Sequence, residues 1–304
     1  MTLLVVKVGG GAGVNLDAVC ADVAALVAKH PGASAERVAS GQPVVLVHGT
    51  SAAADALAQR AGVPVRQLTS PSGHVSRHTD PEMLEIYVAA AAGQVNKRIV
   101  AALQGLGCNA VGLSGVDGRL LVAERKDAVR SVEGGRQRIV RDDYTGKLVS
   151  ANGELLLLLL DHGYTPVVAP LALGGHAERL NVDGDRAAAF LAASLGATTL
   201  VILSNVPGLL ASFPDEASLV RQVQPSQLDW ADSLAQGRMK KKVLAAREAL
   251  AGGVSQVILA DSRLAEPICM ALAGGGTWIS PEISQRMLTT NAETEAEGSM
   301  GTSH

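Results

Sequence analysis

Short runs of apolar residues alternate along the chain with longer amphipathic or alanine-rich segments. Such runs are typical of strands buried on both faces, and the segments between them are long enough for helices. Strands that alternate with helices favour a mainly parallel sheet, which binds ligands at the carboxyl ends of its strands. The sequence therefore predicts an α/β fold. The predicted strands cover residues 3–8, 43–48, 110–113, 166–170, 199–203 and 256–260.

The first predicted strand ends in a lysine and a run of glycines. Lys7 is followed by Gly9 and Gly10, and then by a segment with helical spacing. A lysine at the end of a buried strand costs free energy unless an anion meets it, and glycines let backbone N–H groups approach phosphate oxygens. Because the lysine precedes the glycines, this is not a Walker A loop. The segment is either an anion-binding turn or an ordinary lysine beside a flexible turn.

The second predicted strand ends in a similar turn at Gly49, Thr50 and Ser51. In a parallel sheet both turns would lie on one edge, where ligands bind. The alternative is a structural role, because threonine and serine side chains often cap the N-terminus of a following helix.

Residues 68–81 are rich in proline, serine and glycine and are predicted to form a loop, with Thr79 or Asp80 capping a helix that runs from Pro81 to about residue 103. Arg77 lies in this loop. A guanidinium group can bind a carboxylate through two parallel hydrogen bonds, although most loop arginines are simply solvated.

Residues 120–149 hold seven basic residues against five acidic ones, with Gly134 and Gly135 as a hairpin signal. We interpret them as β-hairpins with a basic surface, which in most proteins is merely solvated. The basic residues are Arg125, Lys126, Arg130, Arg136, Arg138, Arg141 and Lys147.

The leucine run at 155–160 is predicted to form a buried helix that ends at Gly163.

Further charged groups occur in the second half of the chain. Asn181, Asp183 and Asp185 alternate along an extended segment, so they would face one side, as a site or as a helix cap. Residues 240–242 are lysines at the start of a predicted helix. Lysines are disfavoured at the positive end of a helix dipole, which favours an anion partner there. The alternative for Lys240 and Lys241 is a solvated run of charges. The strand at 199–203 ends in another loop on the ligand edge.

Composition limits the class of protein. The chain has 304 residues, 47% of them hydrophobic, and a formal net charge of −3, so it can bury a large core and has no global charge that favours nucleic acid or a membrane surface. Cys20, Cys108 and Cys269 are widely spaced, which suggests neither a disulfide framework nor a metal site. The leucine run is too short to span a bilayer. We expect a cytoplasmic protein.

Taken in order, these segments resemble the amino acid kinase family from Leu3 to about Ser280. The chain is most similar to the acetylglutamate kinase branch, and within it to the LysW-aminoadipate kinases, which act on a substrate attached to a carrier protein. Those carrier-dependent enzymes share the patterns found here at residues 70–80 and 141–147. The matching positions are Lys7, Gly9, Gly10, Gly49, Arg77, residues 181–185, residues 204–208 and residues 237–242.

The resemblance implies a three-layer α/β/α fold with a mainly parallel central sheet. It implies one domain at residues 1–283, with an acceptor-binding lobe at about 1–175 and a nucleotide-binding lobe at about 176–283. Residues 284–304 are polar and are predicted to be a disordered tail. The resemblance further implies ATP with Mg²⁺, an acidic LysW-type carrier protein as partner, and a homodimer with a continuous central sheet.

The resemblance also implies roles for individual residues. Lys7 and Lys242 would stabilise the transferring phosphoryl group from opposite sides, and Asp185 would organise the two lysines. Gly9 and Gly10 would cradle the γ-phosphate. The residues implied on the acceptor side are Gly49, Thr50, Ser51, Arg77 and Asn181. Those implied on the nucleotide side are Ser204, Asn205 and Gly208.

Our first hypothesis is a kinase that phosphorylates the side-chain carboxylate of carrier-bound 2-aminoadipate in lysine biosynthesis. The alternatives are acetylglutamate kinase, a dual kinase for carried glutamate and aminoadipate, and a non-catalytic nucleotide or amino acid sensor. A carboxylate acceptor is ionised at neutral pH and needs no general base. The chain departs from common acetylglutamate kinase patterns at Thr50 and Ser51, and at Arg238, which replaces a common glycine.

Overall fold

The computed structural model of the protein describes residues 2–28, 41–71, 75–133 and 136–281. The strands in these ranges are β1 (Leu4–Val8), β2 (Val44–His48), β3 (Gln67–Thr69), β4 (Val75–Arg77), β5 (Ala110–Ser114), β6 (Leu121–Arg125), β7 (Val129–Glu133), β8 (Arg136–Val140), β9 (Gly146–Ala151), β10 (Thr165–Ala169), β11 (Leu171–Leu173), β12 (Arg179–Asn181), β13 (Thr199–Ser204), β14 (Gln222–Val223), β15 (Gln256–Asp261) and β16 (Thr277–Ile279). The α-helices are α1 (Leu16–Val27), α2 (Ser51–Ala61), α3 (Pro81–Val88), α4 (Asn96–Gly105), α5 (Glu154–Asp161), α6 (Gly184–Ser194), α7 (Leu228–Leu234), α8 (Met239–Ala251) and α9 (Pro267–Leu272).

Eight strands form the central sheet in the order β14-β16-β15-β13-β1-β2-β10-β5. Neighbouring strands are parallel except for β15 and β16. The predicted α/β fold with a mainly parallel sheet is therefore confirmed. Because β13, β1 and β2 are adjacent, the turns that follow them lie side by side at one edge.

Helices cover both faces of this sheet, which gives three layers. Val5 packs in a core with residues of α6 and α8, whereas Leu46 packs in a second core with residues of α1, α4 and α9. Side chains alternate between faces along a strand. Lys7 therefore points with Val5 towards α6 and α8, and His48 points with Leu46 towards α4. The face of the sheet to which a side chain points therefore decides which helices can supply its partners.

Smaller sheets lie beside the central one. Strands β12, β11, β6 and β9 form a four-stranded sheet in that order, and β7 and β8 pair antiparallel, which confirms a hairpin within residues 120–149. Gly134 and Gly135, the hairpin signal, lie outside the described residues, as does the predicted tail at 284–304. Strands β3 and β4 also pair antiparallel, so the segment predicted to be a plain loop contains a short hairpin.

Two helix predictions need correction. The helix predicted from Pro81 to about residue 103 is interrupted by a π-helical turn, Ala89–Val95, which sequence periodicity did not indicate. Helix α5 is only partly buried: Leu156 is enclosed, but Leu158 is 55% exposed because only one face of the helix packs against β10. Gly163 ends this helix with a positive φ of 78°, as predicted. No helix in the described ranges is long and apolar enough to cross a membrane.

Candidate functional site

Lys7, Asp185 and Lys242 form a buried charged cluster at the edge where β1 ends. Lys7 Nζ lies 2.6 Å from Asp185 Oδ1. Lys242 Nζ lies 3.2 Å from Asp185 Oδ1 and 3.0 Å from Oδ2. The three side chains come from β1, from the first turn of α6 and from the first turn of α8, and each is less than a tenth exposed.

The cluster has two positive charges and one negative charge. Burial alone would raise the pKa of Asp185, but the Lys242 and Lys7 ammonium groups outweigh it and hold that pKa well below its usual range. Burial lowers the pKa of Lys242, and the Asp185 carboxylate partly offsets this effect. With both lysines charged, one positive charge stays uncompensated in a region of low dielectric constant, where it attracts an anion strongly.

A second set of contacts holds the two helices that carry the cluster. Asp183 caps α6, where its carboxylate accepts hydrogen bonds from the backbone N–H groups of Asp185 and Arg186, and it lies 3.4 Å from Lys241 Nζ. Arg186 on α6 binds Glu248 on α8 through two hydrogen bonds, of 2.8 and 2.5 Å. These pairs fix the position of Asp185 relative to Lys242.

The two glycine turns touch each other directly. A Cβ atom on Gly10 would lie 2.2 Å from Thr50 N, and one on Gly49 would lie 2.4 Å from Gly10 N, so neither position has room for a side chain. Ser51 Oγ donates to Gly10 O at 3.0 Å and joins the turns. The Gly9 N–H already donates to Leu203 O at 3.2 Å. Of the two glycines predicted to cradle phosphate, Gly10 is therefore the better placed to offer its N–H.

Arg77 lies at the end of β4 and reaches the start of α2. Its guanidinium forms an ion pair with Asp55 and donates to Ser51 O at 3.2 Å. The Arg77 side chain is 12% exposed, so it is held in the site and not solvated like most loop arginines. The contact with Ser51 places it beside the Gly49 turn.

Asn181 is held through Thr79. Asn181 Nδ2 donates to Thr79 Oγ1 at 3.0 Å, and the Thr79 N–H donates to Asp143 Oδ1 at 2.9 Å. The Tyr144 N–H donates to Thr79 O at 2.7 Å, and Thr145 also hydrogen-bonds Asp143. Residues 143–145, which the sequence associates with carrier-dependent enzymes, thus support the segment that carries Arg77 and its link to Asn181.

The loop predicted on the nucleotide side follows β13. The Ser204 carbonyl accepts hydrogen bonds from Ser262 N at 2.7 Å and Ser262 Oγ at 2.8 Å. A Cβ on Gly208 would lie 2.5 Å from Thr277 Oγ1, so a glycine is needed for the loop to pack on β16. Asn205 is exposed. The loop is therefore firmly attached to β15 and β16, next to the strand that carries Lys7.

The basic residues of 120–149 do not share one face. Arg125 stacks on the Tyr144 ring at 3.6 Å from its centre and is half-buried. On the β7–β8 hairpin, Arg138 lies opposite Ser131, which is buried and accepts a hydrogen bond from Thr69 on β3. Arg130 lies on the other face, and Arg136 shares the face of Arg138.

Comparison with known proteins agrees with this geometry. Residues 2–261 match the sequence pattern described as the amino acid kinase family. The chain belongs to the amino acid kinase family. It is 49% identical over 280 residues to the LysW-aminoadipate kinase of Deinococcus radiodurans, an alignment that covers 92% of each chain. It is 50% identical over 277 residues to the LysW-aminoadipate kinase of Thermus thermophilus, covering 90% of this chain and 99% of that one.

A solved structure supports the fold. N-acetylglutamate synthase from Neisseria gonorrhoeae, complexed with coenzyme A and N-acetyl-glutamate, superposes with a TM-score of 0.70 at 24% identity, covering all of this chain and 68% of the other. At this identity the likeness concerns the fold alone. It confirms that the three-layer arrangement is that of the amino acid kinase family.

The structure brings most of the predicted site residues of this amino acid kinase to one edge of the sheet. The local arrangement of one predicted segment differs from the prediction. Asn181, Asp183 and Asp185 do not alternate along one extended segment, because α6 begins at Gly184. Asp183 is a cap, Asp185 belongs to the lysine cluster, and Asn181 contacts Thr79. Both alternatives, site and cap, thus occur within one segment.

Sequence patterns missed several residues of the amino acid kinase site. Asp55, which pairs with Arg77, lies on an alanine-rich helix without any local signal. Arg186 and Glu248 are 62 residues apart, so only helix packing reveals their contact. The sequence singled out Arg238 but not its position: its Nη1 lies 3.3 Å from where a Gly11 Cβ would be, so an exposed cation stands beside the glycine turn.

We expect Asp185→Asn to abolish turnover and to destabilise the protein by about 3–5 kcal/mol at pH 7, because it leaves two buried ammonium groups without an anion. Since the folded-state pKa of Asp185 is lowered, its contribution is present above the unfolded pKa of about 4 and is lost as pH falls below it. Urea unfolding should thus show wild type and variant converging at acidic pH.

The matched control is Asp161→Asn at the exposed end of α5, which should leave stability within about 0.5 kcal/mol of wild type at each pH. An Asp185→Asn variant as stable as the wild type at pH 7 would contradict the charge-compensation role.

Proposed function

We propose that this protein is a kinase that transfers the γ-phosphoryl group of ATP to the side-chain carboxylate of 2-aminoadipate, carried on a small acidic LysW-type protein in lysine biosynthesis. The main support for phosphoryl transfer is the buried Lys7–Asp185–Lys242 cluster. It has an excess positive charge and lies beside two glycine turns that touch each other. The identity of nearly half to two enzymes named for that acceptor supports the choice of substrate.

The proposed reaction needs positioning and charge stabilisation more than proton transfer. A carboxylate oxygen of the acceptor attacks the γ-phosphorus, the bond to the β–γ bridging oxygen breaks, and ADP leaves with that electron pair while an acyl phosphate forms. No proton moves, because the carboxylate is already ionised at neutral pH. Lys7 and Lys242 would stabilise the charge on the transferring group from two sides, held there by Asp185.

The remaining residues divide between the two substrates. On the acceptor side, Arg77 and Asn181 would bind carboxylate and polar groups, next to the turn at residues 49–51. On the nucleotide side, the loop with Ser204, Asn205 and Gly208 would contact ATP, with Gly9 and Gly10 shaping the turn at its γ-phosphate. Arg238 stands beside that turn and would add a positive charge near the phosphates.

Mg²⁺ is proposed to arrive with ATP, where it neutralises phosphate charge. Within the described ranges no group of three histidine, cysteine or acidic side chains is arranged to hold a metal ion. The ATP phosphates and water would therefore supply most of its ligands, as is usual for Mg²⁺ in kinases.

We also propose that the protein is cytoplasmic and forms a homodimer, the dimer on the ground of the edge of its central sheet. Strand β5 is the last strand of the central sheet, on the side formed by the N-terminal part of the chain. A second copy paired there would continue the sheet and cover an edge that is otherwise a liability. Sedimentation that finds a stable monomer would reject this pairing.

The acceptor that the enzyme phosphorylates most efficiently distinguishes the proposed function from its alternatives. We expect efficient ATP-dependent formation of acyl phosphate, measured as hydroxamate, on the carrier bearing 2-aminoadipate. Carrier-bound glutamate and free N-acetylglutamate should be poorer acceptors. Robust turnover of free N-acetylglutamate without carrier would favour acetylglutamate kinase instead. Tight ATP binding without acyl phosphate on any acceptor would favour a sensor.

We expect Lys7→Ala and Lys242→Ala each to lower kcat by about two orders of magnitude with smaller changes in KM, because their charges matter most in the transition state. Arg77→Ala should chiefly raise the KM for the acceptor. Steady-state kinetics with each substrate varied would measure this. Arg247→Ala, on the exposed face of α8, is the control and should change neither constant. Equal losses of ATP affinity in all three site variants would refute this division of roles.

We expect Arg136→Glu with Arg138→Glu to raise the KM for the carrier-bound substrate while leaving the KM for ATP nearly unchanged. These residues lie on the hairpin face that meets β3, on the side of the acceptor segment, where they would steer an acidic carrier. The effect should shrink as salt is added, since the Debye length is about 8 Å at physiological ionic strength.

Arg138→Glu alone and Arg130→Glu make the same charge change on opposite faces of the hairpin, so Arg130→Glu is the matched control for that single variant. An equal rise in the carrier KM for this variant would show that only the net charge of the hairpin matters. No change in either variant would mean that the hairpin is simply solvated.

A further inference from the structure

Asn96 is a fully buried amide that the roles above do not use. It lies where the π-helical turn meets α4 and is 1% exposed. A π-helical turn inside a helix is uncommon and often occurs at functional sites. A buried polar side chain also needs hydrogen-bond partners to offset its loss of water. The partners of Asn96 show what the helix distortion achieves.

The Asn96 side chain connects three neighbouring strands of the central sheet. Its Nδ2 lies 2.9 Å from Val167 O on β10, 3.2 Å from Leu113 O on β5 and 3.3 Å from His48 Nε2 on β2. Its Oδ1 accepts a hydrogen bond from Lys97 Nζ at 3.1 Å. Since lysine only donates, this contact fixes which end of the amide is oxygen.

Strand β5 has a glycine where this network touches it. A Cβ on Gly112 would lie 2.0 Å from Asn96 Oδ1 and 2.6 Å from Lys97 Nζ. Lys97 Nζ also donates to Gly112 O at 3.2 Å. The backbone of β5 is therefore shaped to hold both side chains.

His48 has one tautomer that fits these contacts. The Gly49 carbonyl only accepts, so the proton of the neutral ring lies on Nδ1 and Nε2 is an acceptor. Asn96 Nδ2 shares its two hydrogens among three acceptors, which are the Val167 and Leu113 carbonyls and His48 Nε2. Nδ1 lies 3.2 Å from Gly49 O and donates to it. Burial lowers the pKa of His48 to about 4, against the Gly49 carbonyl and with help from the charge of Lys7, so the ring is neutral at pH 7.

This hydrogen bond sets the direction of the peptide between Gly49 and Thr50. In a trans peptide the C=O and the following N–H point in opposite directions, and this bond is trans. With Gly49 O directed at the ring of His48, the Thr50 N–H points to the other side. Gly10 packs across this peptide, because a Cβ on Gly10 would lie 2.2 Å from Thr50 N and 2.8 Å from Gly49 O. Among the residues described, none accepts a hydrogen bond from this N–H.

We infer that Asn96 is a positioning residue of the phosphoryl-transfer site: through His48 it orients the Gly49–Thr50 peptide so that the Thr50 N–H faces the transferring phosphoryl group. The inference rests on the proposed function, because it requires an anion at this turn. If Asn96 only satisfied the carbonyls of β5 and β10, it would affect the stability of the sheet and not turnover by the folded enzyme.

Two substitutions of His48 separate these roles without touching Asn96. A glutamine amide can reach the place of Nε2 but not Nδ1, whereas an asparagine amide reaches the place of Nδ1. His48→Gln should lower kcat about ten- to a hundredfold with little change in the KM for ATP, because a backbone donor is misplaced. His48→Asn should recover most of that loss. His162→Gln is the control, since His162 Nδ1 also lies near a carbonyl, that of Leu158 at 2.8 Å, at the exposed end of α5.

Asn96→Ala tests the contact between Asn96 and His48. It should lower kcat as much as His48→Gln does, and the double variant should be no worse than either single variant because the residues act in series. ¹⁵N NMR of the wild type should show neutral His48 with its proton on Nδ1, and Asn96→Ala should show a mixture of tautomers. If Asn96→Ala fails to fold, the two His48 variants and the wild-type tautomer decide.

A wild-type His48 protonated on Nε2 would overturn the inference, as would a His48→Gln variant with wild-type kcat. A variant that loses stability but keeps kcat in its folded fraction would also overturn it. Absence of acyl phosphate from the wild type itself would reject the proposed function instead, and the NMR tautomer would still test the geometry of Asn96 and His48.

Discussion

The carboxylate of Asp185 is the group on which the arrangement of the site depends. Two ammonium groups cannot be buried side by side without an anion between them, since each costs several kcal/mol to remove from water. One strand and two helices must therefore meet at a single point, with β1 supplying Lys7 and α8 supplying Lys242. The pairing of Arg186 with Glu248 keeps the helices at the required separation. One positive charge of the cluster remains uncompensated, which favours an anion beside it.

The ends of neighbouring strands place side chains on both faces of the sheet. Lys7 points into the layer of α6 and α8, and His48 points into the layer of α4. Between them the turns at Gly10 and Gly49 touch so closely that a Cβ on either would overlap the other. In the role inferred for Asn96, a change in the helix layer behind His48 reaches the other side of the turn through a single peptide group. The sheet transmits position because its packed interior deforms little.

The contacts around Thr79 show how one segment can hold several of the residues proposed to bind the acceptor. The Asp143 carboxylate and the Tyr144 N–H hold Thr79, and Thr79 in turn holds Asn181. Arg77 lies two residues before Thr79 and is held by Asp55 and the Ser51 carbonyl. Residues proposed to contact the acceptor, from three separate parts of the chain, are thereby fixed relative to one another. Preorganisation of this kind lowers the entropy lost when a substrate binds.

The sequence by itself determined the strands and the mainly parallel sheet, because apolar runs are local signals, and its glycine turns and strand-end lysine pointed to the edge where the charged cluster lies. The grouping of Lys7, Asp185 and Lys242 was implied by the family resemblance. The tertiary structure alone decided which polar groups pair: Arg77 with Asp55, Arg186 with Glu248, and Asn96 with His48. It also replaced the expected alternation of Asn181, Asp183 and Asp185 by a cap and a cluster. These contacts depend on strand parity and on helix packing between distant segments, and the free energy that selects them exists only once the layers have assembled.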